Sequence, residues 1–424
     1  MKAKHIISII FALIIIVASI FAAIQYMPES DTIEEESIGD KDNESTSLGN
    51  LTFKEAVNAL AFDLFNDLNK LYEGNLFISP YSIFTALAMC YEGAKGETAD
   101  QMADVLAIEQ DNASFHNYMK DLYELLNRKN NEYNISTANA LWVKEDYRLL
   151  ESYLNIIKTV YGGGATEVDF SDAQKAADII NQWVENNTNG LIKDLILPEY
   201  INIFTTLILT NAIYFKGMWK YQFDVANTTD RDFKKQSDET IKVPTMQLVN
   251  TENSFNYTET EDVQILELPY SGDDISMLIL LPKDNDISNL IENIDDSKLS
   301  TWKDSMEEIT LDIYLPKFKV ESKYELKDHL NNLGMIIPFT SAADFSGMNG
   351  VKELYIAKVI HKAYIDVNEE GTEAAAATAV IMERFSIGSP EEIIFDCDHP
   401  FVYLIQHKQT GTILFMGSIL DPTM

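Results

Sequence analysis

Six histidines and two cysteines supply all the imidazole and thiol chemistry in 424 residues. There is no His-Glu-x-x-His for zinc, no Walker phosphate loop, no G-x-G-x-x-G and no nucleophile elbow. "GAKGET" at Gly93–Thr98 has the wrong spacing to cradle a phosphate. Cys90 and Cys397 stand about three hundred residues apart, too sparse for a disulfide framework or a metal site, and read as buried free thiols. His361 lies inside an apolar run, "LYIAKVIHKAYIDV", where a hydrogen-bonded core histidine is expected rather than a base. With 67 Asp and Glu, no chance pair of carboxylates carries information. These residues ask for no catalytic centre. The unusual stretch is "EEGTEAAAATAVIMERFS", Glu369 to Ser386. Its alanines favour helix by propensity, yet it sits between strand-like runs, with Gly371 near its start and Gly388 and Pro390 after it.

The elements around that stretch are readable. A 46% apolar fraction supports a large core, and the net charge of −35 excludes nucleic acid and docking on anionic lipid. Lys2 and Lys4 precede an uncharged run, Ile6 to Ile24, which predicts export. That run is also long enough to span a bilayer, and only Val17 and Ser19 approximate a cleavage pattern. Residues 1–26 are therefore a signal peptide or a retained anchor, and the protein is extracellular or held on the outer face of the membrane. Residues 27–50 are acidic and polar, a disordered linker. A single domain is expected over residues 51–424. "TFKE", Thr52–Glu55, reads as a capping box opening a helix with Val57, Leu60, Ala61, Leu64, Leu68 and Leu71 on its apolar face. Helical patterns dominate to about residue 190, with one strand near "ISTANALWV". Strand patterns follow: "TLILTNAIYF", "VQILELPY", "SMLILLP", "ITLDIYLPKF", "LYIAKVIHKAYIDV", "PFVYLIQ" and "GTILFMGSIL". That segregation predicts an α+β fold.

Six strings occur in one order: "NLFISPYSI" (75–83), "NALWV" (139–143), "LTNAIYFKGMW" (209–219), "LPKFKVES" (315–322), "HKAYIDVNEEGTEAAAATA" (361–379) and "DHPFVYLI" (398–405). In these the chain resembles the serpins over nearly all of residues 51 to 424. The resemblance implies helices packed on three β-sheets and a reactive loop that stands exposed until a protease cleaves it. The cleaved loop then inserts into the large central sheet. Serpin loop insertion is itself a known instance of strand addition.

By resemblance the hinge is Glu369, Glu370, Gly371, Thr372, Glu373, Ala374, Ala375, Ala376, Ala377 and Thr378. The residues suit insertion. In a strand, Thr372, Ala374, Ala376, Thr378, Val380 and Met382 share one uncharged face, while Glu373 and Glu383 fall on the other. No proline interrupts 366–389. The family pattern cleaves fourteen positions after the hinge glycine, at Phe385–Ser386, which implies a chymotrypsin-like target; one residue shorter, Arg384–Phe385 would suit a trypsin-like one. The resemblance also implies a polar shutter of Ser79, Ser82, Asn211 and His361 and a breach tryptophan, Trp219. Ordinary core packing would explain all five as well. The implied partner is a serine protease held in a covalent acyl complex, with a cysteine protease as a second class, and the molecule is a monomer without cofactor, metal or catalytic group. "KDLYELLNRKN" is too mixed in charge for a heparin-type activator site. A non-inhibitory carrier or chaperone would be expected to spoil the hinge with charge, bulk or proline, and Gly371 to Thr378 is unspoiled.

Overall fold

The computed structural model describes residues 42–108, 112–128, 132–372 and 393–424. Glu373 to Thr378, Arg384, Phe385 and Ser386 lie outside them. Ser47 to Met424 form one compact unit.

Three sheets carry the described strands. The first runs β1 (Leu76–Ile78), β17 (Thr412–Ile419), β16 (Phe401–His407), β9 (Ile275–Pro282), β8 (Val263–Pro269), β7 (Phe255–Glu259) and β10 (Glu307–Ile309). β9, β16 and β17 are buried at every residue, as continuous apolar runs require. The second sheet is β15 (Ile394–Asp396), β11 (Asp312–Pro316), β6 (Thr240–Leu248) and β5 (Thr229–Lys234). The third is β12 (Phe318–Glu325), β13 (Ile356–Asn368), β14 (Gly371–Thr372), β4 (Leu207–Met218), β2 (Tyr133–Lys144) and β3 (Gly164–Val168).

The third sheet is covered on both faces, and side-chain alternation decides what each face meets. On β4, Leu207, Leu209, Ile213 and Phe215 join the main core, while Ile208 and Ala212 join a smaller one. That smaller core closes under Ile180 and Val184 of the helix Ala173–Asn187. On the main-core side Phe215 meets Phe415 of β17 at 5.9 Å between ring centres, so the first and third sheets pack face to face. Asn211 falls on this same side, between Leu209 and Ile213, a polar residue in an apolar row.

Each strand run singled out in the sequence is realised, but "ITLDIYLPKF" is divided among β10, β11 and the start of β12. The opening helix, α1 (Asp42–Asn69), begins ten residues before the expected capping box. The acidic segment expected to be disordered is thus helical from Asp42, because extending a packed helix costs far less than starting one. Leu71 lies past the end of α1 and is 63% exposed, so it is not a core residue.

Candidate functional site

Two polar constellations sit on the third sheet. The first lies at its centre. Asn139 of β2 pairs directly with Asn211 of β4, and Asn211 pairs with His361 of β13, so three polar side chains form one row across three strands. Beneath them lies helix α2 (Pro80–Tyr91). Ser79 caps it by accepting from the Ser82 N–H at 3.2 Å, and Pro80 occupies the first turn, where no intrahelical donor is needed. Ser79 Oγ donates to the Leu414 carbonyl of β17 at 2.6 Å. Ser82 Oγ donates to Asn139 Oδ1 at 2.9 Å and accepts from Asn211 Nδ2, which also donates to Asn139.

His361 completes the row. The Ser79 N–H donates to its Nε2 at 3.2 Å, so Nδ1 carries the proton and donates to Asn211 Oδ1. The ring is fully buried, and desolvation pushes its pKa down to about 3. It is a neutral, fully partnered imidazole. Ser79, Ser82, Asn211 and His361 are thus brought together. Asn139 belongs with them and was missed, although its position gave the same signal as Asn211: a polar residue on the main-core side of an apolar strand.

Trp219 lies apart, eight residues along from Asn211 and about 26 Å away at 3.3 Å per residue. It is 2% exposed and stacks on Tyr270, ring centres 4.5 Å apart. Its indole N–H donates to the Asn368 carbonyl at 2.9 Å and its backbone N–H to that of Glu370 at 2.8 Å. It therefore grips the turn that ends β13, which is more than core packing.

The first hinge residues are seated rather than exposed. β13 pairs with β4 in parallel up to Tyr364, then the two part and β14 enters between them, antiparallel to both. Thr372 is completely buried opposite Gly217 and Val367, and its Oγ1 lies 2.7 Å from the Tyr270 hydroxyl. Gly371 adopts φ +151°, and a Cβ there would meet the Gly217 carbonyl at 2.1 Å, so only glycine fits. Glu369 is 5% exposed. Burial works against its ionisation, but Lys317 Nζ at 2.8 Å and the Thr228 hydroxyl at 2.8 Å outweigh that and hold its carboxyl below the usual value. Tyr270, Lys317 and Thr228 were not found from the sequence; a carboxylate beside a strand end gives no sign of which cation folds onto it.

The third sheet is thus parted at one end by the two residues of β14, with a buried polar row at its centre. The family model for serpin, serine protease inhibitor, matches residues 55–422. An uncharacterized serpin-like protein of Thermococcus kodakarensis is 41% identical over 370 residues, covering 87% of this chain and 85% of its own. The leukocyte elastase inhibitor of Bos taurus is 40% identical over 371 residues, covering 85% of this chain and 97% of its own. Among solved structures, Serpin48 of Tenebrio molitor, described as a highly specific serpin, superimposes with a TM-score of 0.79 at 34% identity, covering 90% of this chain and 99% of its own. The chain belongs to the serpins, a family of protease inhibitors.

Proposed function

We propose that this serpin inhibits serine proteases by trapping the acyl-enzyme. The protease serine attacks the carbonyl carbon of Phe385, the amine of Ser386 leaves, and the ester links enzyme to inhibitor. The freed strand then enters the third sheet between β13 and β4. The observation that carries this reading is β14, because β13 and β4 are parted at that end and β14 is aligned on both. Thr372 pairs with Gly217 and Val367. Continuing that register places Thr378 level with both Asn211 and His361, on the buried face. A threonine hydroxyl would then arrive where the polar row must part.

Insertion of about a dozen residues adds ladder bonds at about 1 kcal/mol each, on the order of 10 kcal/mol before ordering entropy. It carries the ester-linked protease about 40 Å, at 3.3 Å per residue. Phe385 favours a chymotrypsin-like enzyme with an apolar specificity pocket, and the protein works outside the cell, after export through the 1–26 segment. A gel of the inhibitor with chymotrypsin-like and trypsin-like enzymes tests this, read for a denaturant-resistant complex. Mass spectrometry of the released C-terminal peptide fixes the bond. A peptide starting at Ser386 is expected, and one starting at Phe385 moves the bond to Arg384. Complete cleavage with no complex overturns the proposal in favour of a non-inhibitory serpin.

A further inference from the structure

The strand that precedes β16 has a short ladder. β15 is three residues long, lies at the edge of the second sheet and, among the described residues, pairs only with β11, in parallel. The connection beyond it to β16 is fastened mainly by other contacts. Arg231 of β5 pairs with Asp396 and lies 4.0 Å over the ring of Tyr314. The Cys397 N–H donates to the Tyr314 carbonyl at 2.9 Å, and the Lys234 N–H to the Asp398 carbonyl at 2.7 Å.

His399 follows, and its ring has an acceptor at each nitrogen. Nδ1 lies 2.6 Å from Asp398 Oδ1, and Nε2 lies 2.6 Å from the carbonyl of Pro282, the last residue of β9. A neutral imidazole has one N–H and satisfies one of these; the imidazolium satisfies both. A lost proton would leave a nitrogen lone pair against an oxygen lone pair at hydrogen-bond distance, with the side chain only 17% exposed. We propose that His399 is a pH-sensitive clasp, which when charged staples the β15–β16 connection to the end of β9 and on deprotonation releases it.

The surroundings agree. Burial opposes the charge, but Asp398, the Pro282 carbonyl and Asp284 in the turn after β9 outweigh it, and the pKa of His399 is raised above 6.5. On the β15 side Asp396 also favours the cation, and Arg231 offsets that carboxylate. Lys283, beside Asp284 in sequence, is drawn off to Glu259 at 2.9 Å. The Cys397 thiol, pushed up by burial, stays neutral. A histidine whose folded pKa is raised contributes stability that is complete below about 6.5 and lost as pH rises through the folded pKa. The clasp therefore opens on the alkaline side.

The test is hydrogen exchange of the full-length, uncleaved protein at pH 6 and pH 9, corrected for intrinsic exchange rates, with the imidazole followed by NMR. Protection of the 394–399 segment should fall at pH 9 by about tenfold for each pH unit by which the folded pKa exceeds 6.5. Protection of β9 should not change. In His399→Gln the segment should be less protected at pH 6 and show no alkaline step. Burial pushes His407 below 6.5, the opposite direction from His399. An unchanged step in His399→Gln, or a His399 pKa at or below 6.5 by NMR, overturns the proposal. Should His399→Gln fail to fold, Asp398→Asn at a 57% exposed position is the second variant. It should move the step to lower pH, and a step that stays in place overturns the clasp.

Discussion

Thr372→Arg places the largest demand on the seat of β14. Thr372 is fully buried and bonded to Tyr270, with Gly217 and Val367 on either side. An arginine there must bury an unpaired guanidinium, at several kcal/mol, or withdraw the strand. Withdrawal gives up a two-residue ladder and the Tyr270 bond, about 3 kcal/mol at about 1 kcal/mol per bond. The cheaper outcome is withdrawal, so the intact mutant should hold Gly371 and Thr372 outside the sheet. Reinserting them after cleavage regains those bonds but must bury the guanidinium, and a net cost of about 3 kcal/mol at that first step slows insertion on the order of 100-fold. Deacylation, which depends on the protease, keeps its rate. The mutant should be consumed as a substrate, with covalent complex cut to a few per cent by stoichiometric titration and denaturing gel. A wild-type yield of complex would falsify the argument that the Thr372 face is buried during trapping.

Three further outcomes are expected. Glu369→Lys sets two ammonium groups together at the turn before β14 and should destabilise the intact protein by about 2 kcal/mol, discounted from a fully buried pair because Lys317 is 39% exposed; an unchanged urea midpoint would contradict it. His361, held near pKa 3, makes stability fall as pH drops below 6.5, by about 2 kcal/mol at pH 5 relative to pH 7. Urea melts at the two pH values should show a smaller drop in His361→Gln. Nicking the loop should raise Tm by roughly 13 °C if the new strand adds about 10 kcal/mol. Coincident melts of intact and nicked protein, with the nick verified by mass, would mean that no strand inserts.

The strands of the fold were legible because β9, β13, β16 and β17 are long apolar runs bounded by turn residues, and period alone identifies them. β3 and β5 carry exposed, polar side chains and are strands because of their neighbours, which a single sequence does not display. The polar row was legible in part. Asn211 and His361 stand out as polar residues in apolar strands, and the serpin resemblance supplied Ser79 and Ser82. Asn139 was hidden in "ISTANALWV", where the expected strand is short and polar residues are several. The pairing of Glu369 with Lys317 joins positions 52 residues apart, with two strands and three helical segments between them, and charge pattern gives no register for it. The seating of Gly371 and Thr372 was not foreseen at all, because the alternation argument describes what happens to a strand once it is in the sheet and not how much of it is there beforehand.

The fork between β13 and β4 bears on the kinetics of trapping. Starting a new strand orders residues at about 1–2 kcal/mol each before enough ladder bonds form to offset it, so the nucleus is ordinarily the slow step. Here the nucleus already exists in the uncleaved molecule, aligned on both neighbours. Under the proposed mechanism, cleavage then leaves only propagation, residue by residue, toward Asn211 and His361. Substitutions at Gly371 or Thr372 therefore act on initiation and those at Asn139, Asn211 or His361 on propagation, and the two groups should separate in a single-turnover experiment as a lag before complex formation and a slower rise after it.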